Sequence, residues 1–428
     1  MHPTVGMKER LRQYVIVGNS AAGISAAKEI RRYDPIGQIT ILSDELTYGY
    51  SRVMLPLYIA RKISKGQMTI APRTFYSSLG IRLLRGESAE VVDPGAQKVH
   101  TRKGRTVPYD HLLIATGASP TRLAISGADL EGIHYLRKVS DAEAIHKELS
   151  LWSDPVLVVG GGLVGVKTVE ALLARKRKVH WVISSQRILS QMLDRTASGL
   201  FLKAFEKNGV EVHLQTDVMA FEGKGRLKSA LLSDGGALPC GLAIIGKGVK
   251  PNIDCLAETG ITLNPGVLVD QRMATNLPSI FAAGDVAEPF DVIQGRNVGN
   301  ALWPLAVEGG RIAGSNMTGV QAVFSGALRM NSMEVLGMRV VSAGEREGKE
   351  EGKAFRREGT VYRKMVFSEG KLKGFILTGD IRCAGVLTSL IKNQTEVSAS
   401  LLEEVLGRGV SYRPRLHRLG GCIQVLGT

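Results

Sequence analysis

Short apolar runs of strand length alternate with longer stretches of helical spacing along most of the chain, and two of these alternations are built alike. Tyr14 to Val17 is an apolar strand run, a turn of small residues follows, and Ile24 to Ile30 continues as an amphipathic helix. The segment Val156 to Ala171 repeats that order of strand, glycine turn and helix. Further strands are expected at Gln38 to Leu42, within Arg82 to Val92 and Gln97 to Asp110, at the start of HLLIATGASP, at Val179 to Ile183 and at Leu242 to Ile245. Asp141 to Leu149 reads as a short helix. Beyond about Gly326 the pattern changes to short hydrophobic stretches and turns. There Glu345 to Glu358 is dense in charge and is expected to form a solvent-facing excursion, Thr360 to Asp380 a β-hairpin, and Ala384 to Ile391 a helix. The tail Tyr412 to Thr428 is basic, then apolar.

The two repeated blocks carry the candidate chemistry. In the first turn Gly18, Ser20 and Gly23 occupy the positions of a dinucleotide-binding motif, with Ala22 beside them. A strand delivered into a helix N-terminus is an anion site, because unpaired backbone N–H groups and the helix dipole face a pyrophosphate. Gly18 permits the tight turn and Gly23 close packing of strand on helix; Ser20 stands where the motif usually has a second glycine and is small enough to leave room. In the second turn Gly160, Gly162 and Gly165 complete the motif, with Leu163 opening the helix.

Residues around these turns add detail. After the strand Gln38 to Leu42, Glu45, with Asp44 close by, is the candidate acceptor for an adenosine ribose. Thr116 and Gly117 end another strand in a small-residue turn. Thr47 to Ser64 is an irregular run that covers a flat cofactor or packs as a connector. Asp285, after Gly284, either binds a cofactor hydroxyl or caps a helix. At the second site Val179 to Ile183 runs into Ser184, Ser185, Gln186 and Arg187, with no acid at the ribose position. Ser184 and Arg187 would tolerate a 2′-phosphate, so NAD and NADP both stay open there.

Composition narrows the classes. With 428 residues, 44% of them hydrophobic, the chain can form two or three domains with sizeable cores. Neither a signal-peptide core nor an apolar run of membrane-spanning length is found, so a cytoplasmic protein without a membrane span is expected. The net charge of +15 suits a basic surface or an acidic protein partner. Nucleic acid is disfavoured, because no zinc-finger spacing, aromatic RNA-binding motif or basic helical arm accompanies the charge. The four cysteines, Cys240, Cys255, Cys383 and Cys422, form neither a CxxC pair nor an iron–sulfur ligand cluster.

With these motifs the chain resembles the FAD- and NAD(P)-dependent pyridine nucleotide–disulfide oxidoreductases, especially the branch of rubredoxin reductases and the flavoprotein part of NADH-dependent nitrite reductases. The resemblance implies an α/β fold of two Rossmann-like domains: an FAD domain at 1–118 and 244–325, and an inserted NAD(P)H domain at 119–243. A small α+β domain at 326–405, of a kind that often supports dimerisation, and a tail at 406–428 would follow. It assigns Gly18, Ser20 and Gly23 to the FAD pyrophosphate, Glu45 to the ribose, Asp285 to the ribityl region, and Arg52 and Trp303 to the flavin surroundings. Gly160, Gly162 and Gly165 go to the NAD(P)H pyrophosphate, and Gly248 lines that site. Lys167 departs from the family, which commonly has Glu there. Val53 stands where members that reduce disulfides or peroxide carry a redox cysteine, which implies a flavin that passes electrons directly to its acceptor. GNSAAG, LSDELTYGYSR and the basic charge also resemble the NAD-linked flavoprotein subunits of multisubunit iron–sulfur 2-oxoacid oxidoreductases. That likeness implies FAD and NAD as cofactors, NADP remaining possible, and partner subunits carrying iron–sulfur centres and thiamine diphosphate.

Overall fold

The computed structural model describes residues 10–347, 354–397, 415–419 and 422–426, which fall into two compact units. The first, residues up to Ile188 together with Phe205–Arg329, holds two parallel five-stranded sheets. The first sheet runs Ile280–Ala282, His111–Ile114, Gln13–Val17, Gln38–Ser43, Ile81–Arg85. The second runs Ile133–Tyr135, Leu242–Ile245, Val156–Val159, Val179–Ile183, Glu211–Leu214. In both, the strand leading into a glycine turn is central and the next strands in sequence lie to one side of it. Strand order reverses at that point, which is where open α/β sheets bind ligands, at the carboxyl ends of their strands.

The inner strands of the sheets are buried on both faces, which is why they read as nearly unbroken apolar runs. Val156–Val159 and Leu242–Ile245 are buried at every position. Each sheet also receives an antiparallel three-stranded insertion between its last side strand and its return strand: Ala89–Asp93, Lys98–Thr101, Thr106–Pro108 in one, and Val218–Glu222, Ser229–Leu232, Ala237–Pro239 in the other. The strand Leu242–Ile245 lies wholly in the second sheet, so the boundary expected at 243/244 falls inside it. Trp181, fully buried, meets Phe205 edge-on at 5.0 Å between ring centroids, a contact worth about 1 kcal/mol beyond its burial.

The second unit combines Leu189–Ala204 with the chain from Met330 onward. Its antiparallel sheet has the order Met330–Val335, Met338–Gly344, Lys371–Thr378, Val361–Ser368, Ala354–Glu358, and the helix Ala384–Lys392 packs on it. The hairpin and helix stand where the sequence places them. The charged excursion expected at Glu345 to Glu358 is different, because Ala354–Glu358 is a strand paired to Val361–Ser368; residues 348–353 lie outside the described ones. That strand is the edge strand of the sheet, paired on one side only among the described residues. Asp194 is buried here, accepting a hydrogen bond from the Tyr362 hydroxyl at 2.6 Å and pairing with Lys364 at 3.1 Å. From the tail only a backbone hairpin, Arg415–Leu419 with Cys422–Leu426, is described.

Candidate functional site

Close backbone approach dictates the residues of the first turn. Gly18 has φ +126, and a Cβ there would stand 2.0 Å from the carbonyl oxygen of Ala115; a Cβ on Gly23 would stand 2.0 Å from that of Gly18. No residue with a Cβ fits either place, so both require glycine. Ser20 is the N-cap of Ala21–Tyr33, and its hydroxyl makes no capping bond. The first-turn N–H groups are thereby left for an acceptor outside the helix. A second helix, Trp303–Met317, also starts without a side-chain cap. It packs tightly on the first because Gly310 and Gly314 bring their backbones against Ala22 and Ala26, where a Cβ would be 2.2 and 2.6 Å from the respective carbonyl oxygens. Gly284 fits between Ala22 and Ala306, so Asp285, Ala22 and the start of the second helix converge at the carboxyl end of the first sheet. Trp303 is half-buried against that core.

The acids expected at this site are already engaged. Glu45 accepts from Arg52 at 2.6 Å and from the Tyr50 hydroxyl at 2.7 Å. Asp285 is paired with Arg137 at 2.7 Å. Arg52 donates in turn to the carbonyl of Arg137 at 3.0 Å, so one network ties Glu45 to Asp285. Burial drives the Tyr50 phenol well above its ordinary pKa, with the Glu45 carboxylate adding to the shift. Burial works against the Arg52 guanidinium, but Tyr50 and Glu45 still hold its pKa above the usual value. No helix begins at Asp285, which removes the capping reading; the next one starts at Trp303. The Thr116 hydroxyl donates to the carbonyl of Asn252 at 2.7 Å and the Asn252 amide returns a bond at 2.9 Å, so Thr116 clamps two crossing segments. A Cβ on Gly117, at φ +70, would meet only the Arg137 guanidinium, at 3.7 Å.

The second turn repeats the sterics of the first. Gly160 has φ +113 and would set a Cβ 2.4 Å from the carbonyl oxygen of Gly246, and Gly165 would set one 1.9 Å from that of Gly160. Gly162, the N-cap of Leu163–Ala174, has open space where a Cβ would go and no side-chain cap. Leu163 is exposed. Beyond Ile183, Lys247 reaches across from the end of Leu242–Ile245: its Nζ lies 3.2 Å from the Ser184 hydroxyl and pairs with Asp217. Gly248, at φ +90, accepts from the N–H of Thr121 at 3.0 Å through its carbonyl. Lys167 pairs with Glu170 on its own helix. Reading the chain alone missed Arg137, Tyr50, Lys247 and Asp217, although Tyr50, within Thr47 to Ser64, and Lys247, between two glycines, stood in segments that drew attention.

Residues 12–310 match the model of the pyridine nucleotide-disulphide oxidoreductases. The chain belongs to this family. Its members bind FAD and take NAD(P)H as substrate, and both turns here fit such groups, with uncapped helix starts and glycine cradles that any side chain would fill. Residues 330–395 match the rubredoxin NAD+ reductase C-terminal domain. The assimilatory nitrate reductase electron transfer subunit of Bacillus subtilis (strain 168) is 30% identical over 396 residues, 91% of this chain and 50% of that protein. The chain thus spans about half the length of that relative. The NADH-dependent phenylglyoxylate dehydrogenase subunit epsilon of Aromatoleum evansii is 29% identical over 392 residues, 90% of this chain and 93% of that one. Among solved structures, a NAD-dependent persulfide reductase from A. fulgidus superimposes with a TM-score of 0.82 at 26% identity, over 90% of this chain and 77% of that chain. Among the described residues no helix is long and apolar enough to cross a membrane.

Proposed function

We propose that the chain is an FAD-dependent NAD(H) oxidoreductase without a thiol relay, the flavoprotein subunit that links NAD to the iron–sulfur partner of a 2-oxoacid oxidoreductase complex. The observation that carries this reading is the duplicated glycine turn, one at the switch point of each parallel sheet. Bound FAD would exchange a hydride with the nicotinamide and single electrons with an iron–sulfur centre. The residues of the chain do the holding. Gly18, Ser20, Ala22 and Gly23 would cradle the FAD pyrophosphate, Glu45 and Asp285 would meet its hydroxyls, and Arg52, Thr116, Gly117 and Trp303 would shape its bed. Gly160, Gly162, Leu163, Gly165 and Gly248 would hold NAD, with Ser184 at its ribose. Binding both molecules in fixed orientation is the main contribution asked of the protein.

Five features support the finer parts. Val53 is exposed on the short turn Arg52–Met54, where a redox cysteine would otherwise stand. Burial pushes the Cys240 thiol up to about 12 and the Cys255 thiol up to about 11, so neither is a thiolate at neutral pH. Lys247 is neutralised by Asp217, so the lysine beside Ser184 offers no net charge to a 2′-phosphate, which favours NAD. One relative whose length the chain spans almost fully is a subunit of a phenylglyoxylate dehydrogenase. The excess of 55 basic over 40 acidic residues suits an acidic electron-transfer partner.

The match of residues 330–395 favours a second reading, a stand-alone rubredoxin or ferredoxin reductase. The half-length match to a nitrate reductase subunit allows a related flavoprotein of nitrogen-oxyanion reduction. Anaerobic affinity purification with subunit mass spectrometry and iron analysis separates these. Co-purification with iron–sulfur and thiamine-diphosphate subunits supports the complex, and a homodimer recovered from cells making the neighbouring polypeptides supports the second reading. A flavin that NADH does not reduce, with both sites filled, would instead indicate a non-catalytic nucleotide sensor.

A further inference from the structure

His180 and Glu211 stand opposite each other on the two last strands of the second sheet, in parallel register, and His213 lies two residues beyond Glu211 on the edge strand. Side chains two apart on a strand share a face, and the register puts Glu211 on the His180 face, so all three project to the same side. One ligand-type atom from each lies within 4.8 Å of the others, and among the described residues no other three His, Cys, Asp or Glu side chains are so grouped. The Nδ1 of His180 stands 2.9 Å from a carboxylate oxygen of Glu211, yet it makes no hydrogen bond of acceptable geometry. The Nε2 of His213 is likewise buried without a partner. The His213 nitrogen, buried without a hydrogen-bond partner, carries a desolvation cost of roughly 1–3 kcal/mol, the His180 nitrogen has only a poorly aligned carboxylate, and a shared cation would satisfy both.

We propose that His180, Glu211 and His213 form a binding site for a divalent transition-metal ion of the Zn2+ type. Two imidazoles and one carboxylate are a borderline-soft donor set that suits Zn2+ over Mg2+ or Ca2+. Ligands about 2.0–2.2 Å from a tetrahedral ion stand on the order of 3.4 Å apart, so spacings of up to 4.8 Å close with side-chain shifts on the order of an ångström, the imidazoles included. That side chain is 68% exposed and the His180 side chain only 11%, so the ion would be held from inside by the histidines and reached by water from the carboxylate side. The site lies toward the amino ends of these strands, whereas Ser184 follows their carboxyl ends. Its role is therefore to clip the edge strand Glu211–Leu214 to its neighbour, away from the dinucleotide turn.

The test uses the full chain with FAD bound, carrying no histidine tag, stripped with a chelator and titrated with zinc chloride in a calorimeter. One Zn2+ per chain is expected, with affinity falling at least about tenfold in both Glu211→Gln and His213→Gln. Zn2+ should raise the thermal midpoint of the unaltered chain and not of the variants. Flavin absorbance reports that each variant is folded; if His213→Gln loses it, the exposed Glu211→Gln decides. Co2+ in place of Zn2+ should give the visible ligand-field bands of a tetrahedral site. Absence of saturable one-to-one binding, or equal binding by the variants, would overturn the proposal.

Discussion

At Gly18 a Cβ would stand 2.0 Å from the carbonyl oxygen of Ala115, and at Gly160 it would stand 2.4 Å from that of Gly246. Five residues later, Gly23 and Gly165 each press against the carbonyl of the first glycine of their own turn, at 2.0 and 1.9 Å. The two turns thus solve one steric problem with one set of contacts. They part company at the middle position and beside the next strand. The first has Ser20 in the middle, a second helix locked on through Gly310 and Gly314, and its acids tied into the Arg52 and Arg137 network. The second has Gly162 in the middle with open space around it, and beside Ser184 a single lysine–aspartate pair. The difference matches two kinds of occupant, a resident cofactor enclosed by packed elements and a substrate that enters and leaves.

The largest expected effect separates the turns by their glycines. Gly18→Ala meets a backbone oxygen and a forbidden φ at once, and should cost on the order of 3 kcal/mol or more, with loss of FAD on purification. Gly162→Ala should keep FAD, leave the thermal midpoint within about 2 °C and raise the KM for NADH about tenfold. Equal loss of FAD in both variants would erase the distinction between resident and exchanging sites.

Next comes the network at the first turn. Arg137→Met leaves Asp285 half-buried and unpaired, and is expected to lower stability by about 2 kcal/mol in denaturant titrations and to loosen FAD. NADH affinity of the reconstituted protein should stay within about twofold. Asp217→Asn acts only at the second turn. Freed from its carboxylate, Lys247 becomes available to a 2′-phosphate, and kcat/KM for NADPH relative to NADH should rise about tenfold, or 1.4 kcal/mol. An unchanged ratio would remove Lys247 from the ribose site. The smallest effect is expected from Ser20→Gly, which restores three glycines in the first turn and should shift FAD affinity by less than about threefold.

Both turns, the strands that feed them and the hairpin and helix of the C-terminal unit were legible in the sequence, because glycines at fixed spacing after an apolar run carry their steric reason locally. The partners of the acids were not. Arg137 reaches Asp285 across 148 positions of chain, and Lys247 meets Ser184 across 63; nothing local marks such meetings. The edge strand Ala354–Glu358 was misread for a related reason, since its density of charge suits a loop, and what makes it a strand is its pairing with Val361–Ser368. The boundary expected at 243/244 falls inside Leu242–Ile245, which pairs on both sides with strands of the second sheet, a fact of register rather than of composition.

The central claim is that the flavin is the sole redox group of this chain, with nothing interposed between it and the electron partner. Anaerobic titration of the FAD-loaded protein with NADH, followed by flavin absorbance, tests it most directly, with a repeat after alkylation of accessible thiols. A single two-electron centre predicts complete bleaching at one NADH per FAD, unchanged by alkylation. An endpoint at two NADH per FAD, falling to one after alkylation, would reveal a second two-electron store in cysteine and would contradict the account.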